Sequence, residues 1–150
     1  MAGQVIVAAV IGLLIGGSLG WWIVRRQQSA RSLDQAKRQQ GEILDSLDVL
    51  CRAQLQQQVE ASEAVIRISA LLDSLPVVVE PKVDLAAIHH LAEQCQQFQR
   101  GEQRKSLTPR ERHRQDQQRW TLEKQQAVAV DQAVQRLAEV LPSWRAGLSR

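Results

Sequence analysis

The sequence predicts an all-α protein with one N-terminal transmembrane helix, a helical stalk and a small antiparallel cytoplasmic helical bundle. Three observations lead to this fold class. Residues 5–24 contain no charged side chain. The rest of the chain is rich in Leu, Ala, Gln, Glu and Arg and has no Tyr and one Phe, a composition that favours helices over strands. Its apolar residues recur about every 3.6 residues, which is the period of an amphipathic helix.

Residues 5–24 form the predicted transmembrane helix, because twenty helical residues cover roughly the 30 Å of a bilayer core. A cleavable signal peptide is the competing interpretation. It is disfavoured because residues 1–4 carry no basic side chain and because the apolar segment ends in tryptophans instead of small residues. The aromatic and basic residues that come next are those expected at a membrane interface; they are Trp21, Trp22, Arg25 and Arg26.

The charges beyond the span predict its orientation. Between residues 25 and 38 the basic residues outnumber the single acid, Asp34, and basic residues close to a span stay in the cytoplasm. Residues 1–4 are therefore expected to form a short periplasmic N-terminus. Residues 25–41 are too polar to bury a face and are predicted to form a juxtamembrane basic stalk.

Small residues recur at every fourth position within the span. They form one ridge on a helix, and they are Ala8, Gly12, Gly16 and Gly20. Such a ridge lets a second helix approach closely, which favours helix–helix packing in the membrane, either with another copy or with another protein. The alternative is that glycine is simply common in membrane helices, and the sequence leaves the two interpretations open.

Residues 42–141 are predicted to form the cytoplasmic helical domain. A long amphipathic helix is expected from Ser32 to Leu75, with Gly41 as the one place where it could break. The segment from Pro76 to Pro81 should be an extended connector. The apolar positions that define the stripe of the long helix are Leu44, Leu47, Cys51, Leu55, Val59, Ile66 and Leu72.

Two further helices complete the domain. One is expected over residues 84–99, ending before Gly101. The other begins at Thr108-Pro109-Arg110-Glu111, a capping box with proline at the first helical position, and should run to Leu141. Residues 142–150 are expected to be a loose tail from which Trp144 could fold back. The apolar stripes of these two helices are Leu85, Ile88, Leu91, Ala92, Cys95 and Phe98, and then Trp120, Ala127, Val130, Val134, Leu137 and Leu141.

The sequence shows no catalytic constellation. Cys51 and Cys95 lie on apolar stripes and are expected to be core residues that could touch each other. His89 and His90 point about 100° apart on a helix and cannot share a metal ion, and His113 belongs to another helix. We therefore predict a protein that is not an enzyme, without a catalytic, cofactor or metal site.

The segment from Arg100 to Arg119 is a basic patch with two interpretations. It could bind anionic lipid or nucleic acid, since basic residues exceed acids there. It could instead be a solvated face of mixed sign, which we favour because acids and glutamines are interleaved. A nucleic-acid partner is disfavoured because no aromatic residue is placed to stack on bases.

The segment from Glu63 to Asp73 is the most singular part of the soluble region. Arg67 lies between two isoleucines, and Glu63 precedes it by four residues, the favourable orientation for a helical ion pair. One interpretation is a partly buried arginine whose head group is held by Glu63. The other is a partner contact formed by Glu63, Arg67 and Asp73, in which the arginine meets a carboxylate of the partner.

The pattern Glu63-x-x-Ile66-Arg67-Ile68-x-x-Leu71-Leu72-Asp73 and the plan of an N-terminal span followed by helices resemble a family of small bacterial proteins, domain of unknown function 2489. The resemblance implies a bacterial inner-membrane setting and no particular activity. The expected role is that of a helical adaptor or scaffold for a protein partner, held in membrane lipid. The alternatives are a homo-oligomer assembled through the small-residue ridge and a coiled coil, or a binding module that uses the basic patch.

Overall fold

A computed structural model of the chain describes residues 33–76 and 78–148, and every regular element within these residues is a helix. The prediction of an all-helical protein is confirmed for this part of the chain. The helices are α1 over residues 33–55, α2 over Ala61–Asp73, α3 over Ala86–Gln96, the short α4 over Glu102–Lys105 and α5 over Pro109–Leu148. The chain divides into two compact units, residues 1–38 and 39–150, and the helical core belongs to the second.

No helix in residues 33–76 and 78–148 combines the length and the apolar character that a membrane crossing requires. The predicted span over residues 5–24 lies outside the described residues. So do residues 1–4, the small-residue ridge, the interface residues and most of the stalk predicted over residues 25–41. The described residues 33–39 of α1 are largely exposed, in agreement with a segment that has no face to bury. Gln40, which the predicted stalk includes, is only 2% exposed, so the prediction is wrong at that position.

The first and last helices run antiparallel. Arg145, near the end of α5, donates from Nη2 to Asp45 Oδ1 in α1 at 2.8 Å. Gln54, at the other end of α1, approaches Asp131 in the middle of α5, with 3.5 Å between Nε2 and Oδ1. Because the order of the contacts is reversed in the two helices, their directions are opposite.

The helix α3 also lies antiparallel to α5. Arg136 Nε donates to the backbone oxygen of Asp84 just before α3, at 3.1 Å. Beyond the other end of α3, the backbone N–H of Gln99 donates to Gln115 Oε1 at 3.2 Å. The long helix α5 therefore forms the axis of an antiparallel bundle, with α1 and α3 packed along it.

The predicted apolar stripes supply the core of this bundle. Their central members are almost fully removed from solvent, and this burial is the main driving force for packing amphipathic helices. The fully buried members are Leu44, Leu47, Cys51, Ile88, Leu91, Ala92, Cys95, Val130, Val134, Leu137 and Leu141. Val65 and Ile68 of α2 join the same cluster.

The long helix expected from Ser32 to Leu75 is two helices, and that prediction is wrong. The break falls after Leu55, whereas Gly41 lies inside α1. Gln57 adopts a left-handed backbone with φ of 54°, and the backbone N–H of Gln58 donates to Ala53 O at 2.8 Å. This is a Schellman ending, in which a left-handed residue closes the last turn. Glutamine is an uncommon residue there, so no local signal predicts the break.

The start of α5 is the predicted capping box. The backbone N–H of Glu111 donates to Thr108 Oγ1 at 3.3 Å, and the backbone N–H of Thr108 donates to Glu111 Oε2 at 2.8 Å. Thr108 Oγ1 also donates to Glu111 Oε2 at 2.7 Å, and this hydrogen bond, followed by the one from the Thr108 backbone N–H, lowers the pKa of the Glu111 carboxyl. The prediction is confirmed, because two backbone donors at the helix end are satisfied by each other's side chains.

The end of α5 differs from the prediction of a helix ending at Leu141 and a loose tail over residues 142–150. The helix continues through Pro142 to Leu148. Trp144 is only 4% exposed, and its Nε1 donates to the backbone oxygen of Pro81 at 2.9 Å. Proline removes one helical hydrogen bond, but burial of the large indole ring favours continuation of the helix beyond it.

Trp120, predicted on the buried face of α5, is instead 59% exposed. The reason is that the first part of α5 extends beyond the apolar core, whose first member in this helix is Val130. Leu55 at the end of α1 is exposed for a similar reason, since it lies next to the break. Amphipathic spacing predicts which face of a helix a residue lies on, but it does not predict where along the helix another helix covers that face.

Candidate functional site

The structure brings together two of the three residues expected to contact a partner. Arg67 Nε donates to Glu63 Oε1 at 2.6 Å within α2. The arginine side chain is 63% exposed, so it is held by Glu63 without being buried. Asp73 lies at the C-terminal end of α2, and within the described part of the chain no hydrogen bond or ion pair joins it to Arg67 or Glu63.

Arg67 also lies on the wall of an open groove between α1 and α2. We name this feature the α1–α2 groove, and its volume is about 630 Å³. Most of the surface inside it is apolar, and Val49 on the α1 side is 63% exposed. The residues that line it are Asp45, Ser46, Val49, Leu50, Arg67, Ala70 and Leu71.

The groove offers two kinds of contact. Its apolar floor can bury side chains of a partner, at about 25 cal/mol for each Å² removed from water. Its arginine can leave Glu63 for a partner's carboxylate at little cost, because an exposed ion pair contributes only about 0–1 kcal/mol. The arrangement therefore suits recognition of an amphipathic segment with an acidic residue at its edge.

A second concavity, here named the charged cleft, has a volume of about 370 Å³. It is bounded by the start of α2, the end of α3, α4 and the first half of α5. Paired carboxylates and guanidinium groups define its chemistry. Its lining includes Glu60, Glu63, Ile66, Phe98, Arg104, Asp116 and Arg119.

The charges of this cleft neutralise each other. The Arg104 guanidinium donates two hydrogen bonds to Asp116, of 2.8 and 2.7 Å. These bonds lower the pKa of the Asp116 carboxyl. Arg119 Nη1 lies 2.7 Å from Glu60 Oε2. Arg119 Nε is buried and has no hydrogen-bond partner among the described residues. The cleft is thus a cluster of ion pairs that ties α2 and α4 to α5.

These ion pairs involve only part of the basic patch expected from Arg100 to Arg119. Arg104, Lys105 and Arg119 are each paired with an acid, Lys105 with Glu102 at 2.5 Å. Their charge is therefore mostly compensated, in line with the interpretation of a mixed face for this part of the patch. The arginines of α5 that lie outside the charged cleft do not take part in these ion pairs.

Both cysteines lie in the core, as expected. Burial, with a smaller effect of the Asp48 carboxylate, raises the pKa of Cys51 to about 12. Burial and then Glu123 also raise the pKa of the Cys95 thiol. A thiol acts as a nucleophile or metal ligand only as the thiolate, so neither environment activates its cysteine.

The neighbouring histidines turn to different helices. His89 Nδ1 lies 2.9 Å from Ser69 Oγ of α2, and His90 Nδ1 lies 3.2 Å from Gln126 Oε1 of α5. Within residues 33–76 and 78–148, no three His, Cys, Asp or Glu side chains are grouped so that they could hold a metal ion.

Neither the groove nor the charged cleft is among the features predicted from the sequence. One signal for the groove is present, since Val49 and Leu50 are apolar but lie beside the stripe of Leu47 and Cys51. The cleft has no such signal, because its ion pairs join residues that are far apart in the chain, such as Glu60 and Arg119.

Comparison with known proteins identifies the family of the chain but no individual relative. A search of curated proteins and a search of solved structures returned none. The family model described as "Protein of unknown function (DUF2489)" matches residues 10–137. These residues contain the motif from Glu63 to Asp73, both walls of the α1–α2 groove and the charged cleft. Since the match covers well over half of the sequence, the chain belongs to the DUF2489 family of proteins of unknown function.

Proposed function

We propose that this protein is a membrane-anchored helical adaptor, without enzymatic activity, that binds a protein partner through the α1–α2 groove. The observation that carries the proposal is the groove itself: an open concavity with a mainly apolar lining and an exposed arginine on its wall. A contiguous apolar patch rimmed by polar residues commonly marks a contact with another protein.

The anchor in this proposal is the apolar segment over residues 5–24. Its length, its lack of charge and the basic residues beyond it support a single span with residues 1–4 in the periplasm and the domain in the cytoplasm. The family match begins at residue 10, so most of this segment belongs to the pattern that the family shares. A bacterial inner membrane is the setting we propose.

The partner is proposed to contribute an amphipathic helix. Val49, Leu50, Ala70 and Leu71 offer an apolar floor between two neighbouring helices, which suits a third helix laid along them. Arg67 at the wall would select an acidic residue at the edge of the apolar face of that helix. Glu63, which holds Arg67 in the absence of the partner, would keep the guanidinium group in position.

Self-association is the alternative for the membrane segment but gains no support for α1. A coiled coil through α1 would need its apolar stripe, and Leu44, Leu47 and Cys51 are buried inside the domain. The ridge of Ala8, Gly12, Gly16 and Gly20 remains the proposed packing surface in the membrane. Replacing Gly16→Ile should reduce crosslinked dimers in membranes if that ridge pairs two copies, and an unchanged yield would rule it out.

A photo-reactive amino acid at position Ala70 tests the groove directly. In intact membranes we expect one specific adduct with a second protein. Val49→Glu should abolish the adduct because it places a charge on the apolar floor. The matched control is Val78→Glu, since Val78 is also largely exposed but lies in the connector.

The adaptor proposal fails if Val49→Glu and Val78→Glu give the same adducts, or if the adduct joins two copies of this chain. Anchoring is tested separately. The chain should remain in membranes after alkaline extraction and should behave as a protein that retains residues 5–24. A mature chain released in soluble form without that segment would contradict the anchor while leaving the groove as a contact surface.

A further inference from the structure

The first half of α5 carries an exposed face that is basic along most of its length. It is defined by residues three or four positions apart, which lie on one side of a helix, and each is exposed. This α5 basic face consists of Arg110, Arg114, Gln117, Thr121, Lys124 and Val128, with His113 and Trp120 along one edge.

Two of the three acids in the same half of α5, Asp116 and Glu123, are turned away from this face, and Glu111 lies at its border next to Arg114. Each of the three is engaged elsewhere: Glu111 with the cap residue Thr108, Asp116 with Arg104, and Glu123 with the backbone N–H of Ser62 at 3.1 Å. At 100° per residue none of them falls among the positions that form the face. The cations therefore face solvent, while Asp116 and Glu123 face the domain and the Glu111 carboxylate is held by Thr108 at the N-terminal border of the face.

Trp120 adds an aromatic edge to these cations. It is 59% exposed, and Lys124 Nζ lies 5.2 Å from the centre of its ring. Val128 on the same side of the helix is 72% exposed. An indole ring beside cations and an exposed apolar side chain is the combination that membrane interfaces favour, because the ring is apolar and its N–H is polar.

We propose that the α5 basic face lies on the anionic headgroups of the membrane to which the chain is anchored. Lipid is favoured over nucleic acid because the face has a single aromatic residue and an exposed valine, where single-stranded binding would use several stacking rings. Each Lys or Arg near an anionic surface strengthens binding about fivefold. Three such cations bind weakly alone, but a tether raises the effective concentration of the surface.

The inference rests on the proposed anchor for its tether, and the experiment separates the two. The full chain carrying Thr121→Cys is labelled with an environment-sensitive fluorophore, and Cys51 and Cys95 do not compete because they are buried. The labelled protein is mixed with vesicles of phosphatidylcholine alone or with added phosphatidylglycerol. Flotation with the neutral vesicles reports the anchor, and a blue shift with the anionic vesicles reports the face.

We expect a blue shift with anionic vesicles only. The variant with Arg110→Glu, Arg114→Glu and Lys124→Glu should lose it, while Trp120→Ala should reduce it. The matched control makes the same change of charge off the face, with Lys82→Glu, Arg100→Glu and Lys105→Glu, and should keep the shift. Circular dichroism checks that each variant is helical.

Several results would overturn the inference. They are no shift with either vesicle, an equal shift with both, or an equal loss in the face variant and the charge-matched control. A shift with a DNA oligonucleotide but not with anionic vesicles would assign the face to nucleic acid instead. A shift with anionic vesicles in a chain that does not float with neutral ones would reject the anchor and keep the face.

Discussion

The two halves of α5 are built from one continuous helix and have opposite surroundings. From Val130 to Trp144 its inward side chains are almost completely buried. Within residues 109–129, no side chain is buried. Helix formation is therefore not evidence of packing, because the same element is a core helix at one end and a surface helix at the other.

The difference lies in what touches each half. The second half contacts the apolar faces of α1 and α3, whereas the first half, apart from Leu122, is held by polar links such as Arg104–Asp116 and Gln99–Gln115. Exposed polar contacts of this kind contribute little free energy. The second half is thus expected to determine the stability of the fold, and the first half to present a surface that can change without unfolding it.

The largest effect should come from a truncation in the buried half. Leu137→Ala removes a fully buried side chain and should lower the free energy of unfolding by about 2–5 kcal/mol. Val128→Ala in the exposed half should change it by less than about 0.5 kcal/mol. Denaturant unfolding followed by circular dichroism measures both changes. Equal losses of unfolding free energy in the two variants would contradict the difference between the halves.

A smaller effect should come from the end of the helix. Trp144→Phe removes the donor that bonds Pro81 O and should cost about 0.5–1.5 kcal/mol, with a further small loss from imperfect filling of the site. If residues 142–148 were the loose tail that the sequence suggests, the same substitution would leave the unfolding curve unchanged.

The smallest effect should come from the polar links of the exposed half. Asp116→Asn breaks the bidentate pair with Arg104, and because both side chains are more than one-third exposed the loss should not exceed about 1 kcal/mol. Denaturant unfolding at neutral pH measures it, and a loss as large as that of Leu137→Ala would contradict the ranking.

The Arg104–Asp116 pair also makes the stability of the fold depend on pH. The hydrogen bonds from Arg104 lower the pKa of Asp116 in the folded chain. Between that lowered pKa and the ordinary value near 3.9 the unfolded chain binds more protons. The stabilising contribution is therefore complete above that range and is lost as the pH falls through it. Urea titrations at several acidic pH values should show that the free energy of unfolding depends less steeply on pH in Asp116→Asn than in the unchanged protein. An identical pH dependence in both proteins would show that Asp116 is not its source.

The features that could be predicted from the sequence are those that local physics determines. The apolar period identified the buried residues Leu47, Leu91 and Leu137 because each helix must hide one face. The capping box at Thr108 identified the start of α5 because its hydrogen bonds are made within four residues.

The features that could not be predicted depend on residues distant in the chain. Trp120 has the spacing of a core residue, but no helix covers it. The sequence allows Trp144 to fold back from a loose tail, but it does not predict the helix that continues through Pro142 and buries Trp144 beside Pro81. The α1–α2 groove exists because α2 packs beside α1 without covering Val49. Each of these outcomes depends on where the helices end and on which helix packs against which. Both are determined by tertiary packing and not by the local sequence.

Native-state hydrogen exchange resolved along α5 tests most directly whether one helix serves both as core and as surface. We expect strong protection, close to the global free energy of unfolding, for backbone amides from about residue 130 to 141, and weak protection from about 112 to 126. Uniform protection over the whole of α5 would contradict this division, because both halves would then unfold as one unit.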